Sequence, residues 1–149
     1  MIIVDIDGVV TDNRGITSFK QWERLFPIME PNQALIELIT PNLKHVMFVT
    51  GRSEQYRDST MVWFQVHWPE AIEKSMGFQF RPSDDYRDSS LVKSDLLDRL
   101  KEAGYPLPTL AIDDVDSNIE MYRARGIPTM QHLLPDGVNR TDLASPEAT

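Results

Sequence analysis

The sequence predicts an α/β fold in which helices cover a doubly wound, parallel sheet of about five strands. Short apolar runs, rich in β-branched residues, alternate along the chain with segments of helical periodicity. Continuous apolar runs of this length are typical of parallel strands, because helices bury both of their faces. Polar clusters follow three of the runs. Ligands of such sheets bind beyond the carboxyl ends of the strands, so we expect a site at that edge.

The amino-terminal third is predicted to contain one strand, a flap and one helix. Residues 1–4 form the strand, which leads into Asp5 and Asp7. We expect residues 10–29 to form a flap beside the strand end, because turn residues and prolines interrupt the pattern there. The helix that follows ends at Pro41. Its apolar residues at helical spacing are Ala34, Leu35, Leu38 and Ile39.

The middle of the chain is predicted to contain two strands and a helix between them. Residues 45–49 form the second strand, which leads into a Thr-Gly-Arg sequence at residues 50–52. Ser53 is a favourable N-cap for the helix, which we expect to continue to Pro69. Residues 77–80 form a short third strand. The bulky side chains of the helix are Tyr56, Met61, Val62, Phe64 and Trp68.

A polar loop over residues 81–88 opens the last third of the chain. The helix after it ends near Gly104, where the sequence can leave the helical conformation. Residues 109–112 form the fourth strand, and Asp113 and Asp114 follow it directly. The apolar positions of the helix are Leu91, Val92, Leu96, Leu97 and Leu100.

We expect the whole chain, residues 1–149, to form a single domain of ordinary size. A helix over residues 117–125 and a strand over residues 129–133 complete the predicted sheet, and residues from about 135–149 form a loose polar tail. The segments between the strands have room for a flap, single helices and loops. We therefore predict a fold with no cap domain or a minimal one.

Composition excludes several classes of protein. The net charge of −8 argues against a broad basic surface that follows a nucleic-acid backbone, although local basic sites remain open. The absence of cysteine excludes disulfides and thiolate metal sites. Asp5 and Asp7 interrupt the first apolar run and no basic region precedes it, so we expect neither a signal peptide nor a membrane span. These features predict a cytoplasmic protein.

The two carboxylates after the first strand can support covalent phosphoryl transfer. If Asp5 attacks phosphorus, it forms an acyl phosphate and divides one difficult hydrolysis into two displacements. Asp7, two residues further on, can protonate the leaving oxygen and then deprotonate the attacking water. A carboxylate and a phosphate repel each other by about 1 kcal/mol in water and by roughly 4 kcal/mol at an effective dielectric constant of 20. Such a site therefore requires positive charge.

A divalent cation is the first predicted source of that charge. Asp113 and Asp114, together with Asp5 and a backbone carbonyl near Asp7, would form an all-oxygen site suited to Mg²⁺. The alternative is that Asp113 and Asp114 only cap the helix that follows them.

Lys93 and the second polar cluster are the other predicted partners of a phosphoryl group. Lys93 can neutralise Asp5, while the Thr50 hydroxyl and the Gly51 N–H can donate hydrogen bonds to phosphoryl oxygens. Each feature alone has a structural explanation, namely a solvated lysine and an ordinary turn. Their combination with the strand-end acids indicates a phosphate site.

These residues also resemble the motifs of a known family, the haloacid dehalogenase (HAD) superfamily. The matching motifs are Asp5-Ile-Asp7-Gly8-Val9, Thr50-Gly51-Arg52, Lys93 and Asp113-Asp114. The resemblance implies a Rossmann-like fold, an Mg²⁺ cofactor, Asp5 as nucleophile and Asp7 as acid/base. The catalytic residues that it implies are Asp5, Asp7, Thr50 and Lys93. The metal-binding residues that it implies are Asp5, Asp7, Asp113 and Asp114. The first motif departs from the family pattern because it has Val9 where Thr is usual.

A narrower resemblance is to the 3′-phosphatase domain of phage-type bifunctional polynucleotide kinase/phosphatases. It rests on residues 81–93, where two arginines and an acidic loop precede a Val-Lys pair, and on residues 111–123. It implies that Arg81 and Arg87 contact the terminal phosphate or the adjoining nucleotide. Gly51 and Arg52 of the second motif are the other predicted substrate-binding residues. The alternative is an Arg/Asp-rich surface loop with ion pairs of little energy. No P-loop motif occurs in the chain, so a kinase or ligase partner would be a separate protein.

The predicted function is therefore removal of 3′-phosphate from nucleic-acid ends by an Mg²⁺-dependent HAD phosphatase that forms an aspartyl-phosphate. The alternatives are a nucleoside monophosphate phosphatase, a protein phosphatase and a non-catalytic phosphate-binding module. An open site without a cap favours a bulky substrate. Four aromatic residues are candidates for stacking on a base, namely Trp22, Phe26, Trp63 and Trp68, and core positions are the alternative. Three histidines without ligand-like spacing receive no role; they are His45, His67 and His132.

Overall fold

A five-stranded, all-parallel sheet forms the centre of the computed structural model, which describes residues 1–12 and 26–133. Its strands lie in the order β3-β2-β1-β4-β5, with β1 in the middle. Their bounds are β1 (Ile2–Val4), β2 (Val46–Ser53), β3 (Gly77–Arg81), β4 (Leu110–Asp113) and β5 (Thr129–Gln131). The predicted parallel sheet is confirmed. Because β2 and β4 flank β1, the three predicted polar clusters lie at neighbouring strand ends.

Five α-helices and three short 3-10 helices surround the sheet within the described residues. The α-helices are α1 (Gln33–Ile39), α2 (Arg57–His67), α3 (Pro69–Lys74), α4 (Ser89–Glu102) and α5 (Asp116–Ala124). The 3-10 helices are Phe26–Ile28, Thr40–His45 and Glu54–Tyr56. Residues 26–133 contain no inserted cap domain. Most of the predicted flap, residues 13–25, and the predicted tail, residues 135–149, lie outside the described residues.

Alternating residues of the central strands separate two apolar layers. Val46 and Phe48 of β2 pack in the layer that contains α1, α2 and α3, whereas Met47 and Val49 pack against α4 and α5. The fold thus has three layers, because α1, α2 and α3 cover one face of the sheet and α4 and α5 cover the other. In the described residues, every helix is too short or too polar to cross a membrane.

Two helix predictions are wrong in detail. In α1 the buried residues are Leu35, Ile36 and Ile39, while the predicted Ala34 and Leu38 are exposed. Both sets have helical spacing, so periodicity alone does not distinguish two faces that are offset by about one residue.

The helix predicted from Ser53 to Pro69 is in fact divided. Ser53 caps the 3-10 turn Glu54–Tyr56, α2 follows, and Pro69 begins α3 instead of ending helical structure. A proline at the first helical position loses no hydrogen bond, which explains why it starts a helix here. Trp63 is buried, and the neighbouring Val62, predicted as a bulky packing residue, is exposed.

Candidate active site

The first strand delivers Asp5 to the centre of the carboxyl edge of the sheet. The backbone N–H of Asp5 donates to the carbonyl of Ile112 in β4 at 3.0 Å, which extends the pairing one residue beyond β1. The chain then turns at Gly8, whose φ of 78° is one that glycine adopts without strain. Asp5 is buried and Asp7 is half-buried at the rim.

Lys93 connects the ends of two strands through a buried ion-pair cluster. Its ammonium lies 2.9 Å from Asp5 Oδ1 and 2.6 Å from Asp113 Oδ2. It lies near the start of α4, at the fifth helical residue, and its side chain is almost fully buried. Burial lowers the pKa of Lys93, but the charges of Asp113 and Asp5 outweigh it and hold the pKa well above its usual value. Lys93 is therefore a permanent cation at this site.

Asp113 is held by four hydrogen-bond donors. Oδ2 accepts from Lys93, while Oδ1 accepts from the backbone N–H groups of Asp114 (2.9 Å) and Val115 (3.1 Å) and from Nδ2 of Asn118 (3.1 Å). The Ser89 hydroxyl donates in turn to Asn118 Oδ1 at 2.8 Å. Sequence reasoning missed Asn118 and Ser89. The sequence feature that could have indicated them is their position in the first turns of α4 and α5, the two helices that begin at the site.

Asp114 has the opposite environment. Both of its carboxylate oxygens are buried and have no hydrogen-bond partner among the described residues. Burial and then the charges of Asp5 and Asp113 raise its pKa to about 10. Burial and then the charge of Asp113 also raise the pKa of Asp5, to about 7. Asp114 thus requires a positive partner to be ionised at neutral pH.

The three carboxylates fit a divalent cation. Asp5, Asp113 and Asp114 offer one oxygen each, all within 4.8 Å of one another. Because Asp113 already accepts hydrogen bonds from Lys93 and Asn118, the oxygens of Asp114, which accept none among the described residues, are the better metal ligands. An all-oxygen donor set with several places left for water suits Mg²⁺.

These pKa shifts predict how the stability of the metal-free protein depends on pH. Asp5 and Asp114 hold a proton in the folded state at pH values where the unfolded chain has released it. The unfolded state therefore binds fewer protons, and the free energy of unfolding falls from pH 5 to pH 7 by up to about 1.4 kcal/mol per pH unit for each group. Urea denaturation in EDTA measures this slope.

Mg²⁺ should remove much of that pH dependence, because it binds the ionised carboxylates and stabilises the folded state more as the pH rises. Asp114→Asn is the control variant, and it should lower the slope in EDTA. Asp85 does not affect the slope between pH 5 and pH 7. Hydrogen bonds from Arg87 lower the pKa of Asp85 to about 2, so its contribution to the free energy of unfolding is already complete at pH 5. A stability that increases from pH 5 to pH 7 in EDTA would contradict the prediction.

Arg52 pairs with Asp7 and is turned away from open solvent. Its Nε and Nη2 donate to the two oxygens of Asp7 at 2.8 and 2.6 Å, and Nη1 donates to the Thr60 hydroxyl at 3.0 Å. The Phe26 ring lies 3.4 Å from the guanidinium carbon. Burial lowers the pKa of Arg52, and the Asp7 carboxylate opposes that change. The sequence prediction placed Arg52 against substrate, whereas this geometry makes it a support of Asp7.

Thr50 and Gly51 lie beside this pair on β2. The Thr50 hydroxyl accepts a hydrogen bond from the N–H of Arg52 at 3.0 Å, so its own proton is left for another acceptor. A Cβ on Gly51 would meet Ser89 Cβ at 3.3 Å. Glycine thus allows α4 to approach β2 closely and bring Lys93 to the site.

Arg81, the last residue of β3, and Arg87 organise the loop over residues 82–88. Arg81 donates to the carbonyl of Gly51 at 2.7 Å and to the carbonyls of Asp85 and Arg87. Arg87 is exposed and pairs with Asp85 at 2.7 Å and with Asp95 at 2.6 Å. Both side chains are therefore bound by protein atoms. The sequence analysis predicted that they contact the terminal phosphate or the adjoining nucleotide of the substrate.

Asn32 and His132 hold the turn that follows Asp7. Asn32 Nδ2 donates to the Val9 carbonyl at 3.0 Å and to His132 Nε2 at 3.2 Å. Since Nε2 accepts, Nδ1 carries the proton and donates to the Gly8 carbonyl at 2.9 Å. His132, to which the sequence analysis assigned no functional role, thus has a structural one in holding this turn. Only the fold could show this contact, because residues 8 and 132 are distant in the chain.

Replacing Asn32 should destabilise the protein. Its Oδ1 also caps α1 by accepting from the N–H of Leu35 at 3.3 Å. We expect Asn32→Ala to lower the free energy of unfolding by about 1 to 2 kcal/mol, because it removes the cap and one support of the turn. Urea denaturation compares it with Asn42→Ala, an exposed asparagine in the next helical turn. Equal effects of the two substitutions would refute the assignment.

Three of the aromatic residues that are candidates for stacking on a base are core residues. Phe26, Trp63 and Trp68 are buried, and the two indole N–H groups donate inside the protein, to Met29 O and Thr40 Oγ1. Trp22 lies outside the described residues. The core alternative is correct for the three that the structure describes.

Comparison with known proteins identifies the family to which the chain belongs. A family model described as the polynucleotide kinase PNKP phosphatase domain, of the HAD type, matches residues 1–136. A search of curated proteins gave no significant match.

Solved structures of similar fold include two Pnkp1/Rnl/Hen1 complexes, one of them described as an RNA repair complex. The first has a TM-score of 0.70 at 20% identity, over 87% of this chain and 44% of that chain. The second has a TM-score of 0.73 at 20% identity, over 95% and 43%. This chain thus spans less than half of those proteins. A putative β-phosphoglucomutase from Thermotoga maritima has a TM-score of 0.58 at 14% identity, over 91% of this chain and 87% of that chain.

Proposed function

This chain belongs to the HAD phosphatase-domain family of polynucleotide kinase PNKP and is a phosphoric monoester hydrolase, and on that premise we propose that it removes 3′-phosphates from nucleic-acid ends. The observation that carries the proposal is the family match over residues 1–136, which includes every residue of the buried carboxylate and lysine cluster. We further propose RNA ends as the natural substrate, since a similar fold occurs in an RNA repair complex.

Asp5 is the proposed nucleophile. Its carboxylate attacks phosphorus, the bond to the 3′-oxygen breaks, and an aspartyl-phosphate forms; water then attacks that phosphorus and regenerates Asp5. Lys93 stabilises the charge of Asp5 from 2.9 Å throughout. The Thr50 hydroxyl and the Gly51 N–H donate to the phosphoryl oxygens.

The proposed metal ligands are Asp5, Asp114 and the backbone carbonyl of Asp7. Asp113 orients these ligands indirectly, because it accepts hydrogen bonds from Lys93 and from the backbone N–H groups of residues 114 and 115. Bound Mg²⁺ would supply positive charge against the phosphoryl oxygens. Arg81 and Arg87 act on substrate indirectly in this proposal, by fixing the loop beside Gly51.

Asp7 is the proposed acid and base, and Arg52 is its positioning residue. In the structure Arg52 donates to both oxygens of Asp7 and so fixes the orientation of the carboxylate that is to take a proton from the attacking water. To protonate the leaving 3′-oxygen, Asp7 must first gain a proton and turn from Arg52.

Arg52→Lys tests this positioning role. Lysine keeps the charge but cannot make the two parallel hydrogen bonds, so we expect kcat to fall about 10- to 100-fold with little change in KM. Arg57→Lys is the matched control, since Arg57 pairs with Glu54 on the exposed surface. A change of KM alone would instead place Arg52 on substrate.

The function is tested by phosphate release from a matched set of substrates, with Mg²⁺ and with EDTA. The set contains 3′-phosphorylated RNA and DNA oligonucleotides, a 5′-phosphorylated oligonucleotide, 3′- and 5′-mononucleotides and a phosphopeptide. We expect the largest kcat/KM for 3′-phosphorylated oligonucleotides and no release in EDTA. Preference for mononucleotides would make the protein a nucleotidase, and preference for the phosphopeptide a protein phosphatase. No release from any substrate would favour a phosphate-binding module.

A second part of the proposal concerns partners. Residues 1–149 contain no P-loop motif for a 5′-kinase step. We propose that a kinase or ligase on another chain completes end repair. Co-purification of the tagged protein from its source, followed by a ligase assay on 3′-phosphorylated ends, tests this.

A further inference from the structure

We propose that Tyr86 forms a stacking subsite for the terminal base of the strand whose 3′-phosphate is removed. This inference rests on the proposed function and names the part of the substrate that the site recognises beyond the phosphate. Tyr86 lies in the loop between β3 and α4, and half of its side chain is exposed. The observation that carries the inference is that this exposed ring stands on a rigid loop at the carboxyl edge of the sheet.

The loop is fixed on both sides of Tyr86. Arg81 donates from Nη1 to the carbonyls of Asp85 and Arg87, the residues directly before and after it. Arg87 donates in turn to both oxygens of Asp85, at 3.0 and 2.7 Å. The backbone that carries Tyr86 is therefore ordered before any ligand arrives, so little conformational entropy is lost on binding.

The loop also lies next to the proposed phosphate site. The guanidinium of Arg81 donates to the carbonyl of Gly51, and a Cβ on Gly51 would lie only 3.3 Å from the Cβ of Ser89 at the start of α4. Tyr86 precedes Ser89 by three residues, a span of at most about 11 Å. A nucleotide whose 3′-phosphate lies at Gly51 can thus place its base near this ring.

The other described aromatic residues cannot fill this role. The other aromatic side chains near the site are buried or partly buried; they are Phe26, Tyr56, Phe80 and Tyr122. Tyr105 is exposed, but it precedes β4 and lies at the opposite edge of the sheet. In residues 1–12 and 26–133, Tyr86 is therefore the exposed aromatic ring at the edge that holds Asp5.

The charges of the loop favour a base over a phosphate backbone as its ligand. Arg87 pairs with Asp85 and Asp95, and Asp84 and Asp88 are exposed carboxylates. Such a loop repels additional phosphates, but it does not repel the neutral face of a base. Stacking on an aromatic ring accepts any base, as an enzyme acting on ends of every sequence requires.

The test compares Tyr86→Ala and Tyr86→Trp with Tyr105→Ala, the matched exposed tyrosine at the far edge. The substrates are a 3′-phosphorylated oligonucleotide, the same strand with an abasic terminal nucleotide, and glycerol 2-phosphate, which has no ring. We expect Tyr86→Ala to raise KM about tenfold or more for the first substrate only, with kcat little changed. Tyr86→Trp should preserve or lower that KM, and Tyr105→Ala should leave all three substrates unaffected.

Three outcomes would overturn the inference. An unchanged KM for the base-containing strand in Tyr86→Ala shows that the ring does not stack, and equal losses on glycerol 2-phosphate show a structural role. Equal losses on the abasic strand show contact with sugar or phosphate. Failure of the proposed function is seen separately in the wild-type protein, as equal kcat/KM for the oligonucleotide and glycerol 2-phosphate. In that case Tyr86 has no terminal base to bind and this inference fails with it.

Discussion

Asp5→Asn should abolish phosphate release, with a loss of about a thousandfold or more in kcat. The amide has nearly the same shape as the carboxylate but cannot form an acyl phosphate, so the covalent route is closed. Single-turnover release from a 3′-phosphorylated oligonucleotide with Mg²⁺ measures the effect. Activity within tenfold of the wild-type rate would exclude Asp5 as the nucleophile.

The same variant should fold well without metal. Burial and then the charge of Asp113 raise the pKa of Asp5 to about 7, so a neutral side chain relieves an unfavourable charge in the folded state. We expect the Tm of Asp5→Asn in EDTA at pH 8 to equal or exceed the wild-type Tm, and the gain in Tm on adding Mg²⁺ to be smaller. Asp58→Asn, at an exposed position of α2, is the matched control and should change neither activity nor Tm.

Lys93→Met should lower the free energy of unfolding more than Asn32→Ala or Asp5→Asn does. It removes the ammonium that contacts both Asp5 and Asp113 and leaves two buried carboxylates without it. Removing one partner of a buried ion pair costs about 3 to 5 kcal/mol. Urea denaturation at pH 7 measures this free energy of unfolding, and phosphate release, corrected for the folded fraction, should fall by at least a hundredfold.

A double-mutant cycle separates this electrostatic role from simple packing. In the Asp5→Asn background Lys93 keeps its contact with the Asp113 carboxylate alone, so Lys93→Met should cost about 1 to 3 kcal/mol less than in the wild-type protein. Additive effects would mean that Lys93 and Asp5 do not interact in solution. Lys101→Met, at an exposed position of α4, is the matched control.

The strand-end acids could be predicted because local pattern and topology suffice for them. A short apolar strand followed by a carboxylate places that carboxylate at the strand end, and parallel strands bring their carboxyl ends to one edge. The pattern thus brought Asp5, Thr50 and Asp113 to neighbouring positions. Lys93 followed from its place near the start of a helix that begins at the same edge.

The hydrogen-bond partners of the site could not be predicted in the same way, because they depend on contacts between distant parts of the chain. Arg52 and Asp7 are 45 residues apart, Asn32 and His132 are 100 apart, and Gly8 and His132 are 124 apart. No periodicity specifies which of several arginines or histidines reaches a given carbonyl or carboxylate. For this reason the contact of Arg52 with Asp7 and that of His132 with Gly8 were not predicted.

What the sequence by itself determined is the parallel sheet and the set of acids, lysine and glycine at its carboxyl edge, since strand length, helical period and strand-end position are local properties. Only the tertiary structure decided which arginine side chains are paired with protein atoms and which aromatic rings are exposed to solvent. Arg52, Arg81 and Arg87 are held by protein atoms, and the tryptophans of α2 and its end lie in the core. Burial and pairing are properties of packing, because each depends on every element that surrounds the side chain.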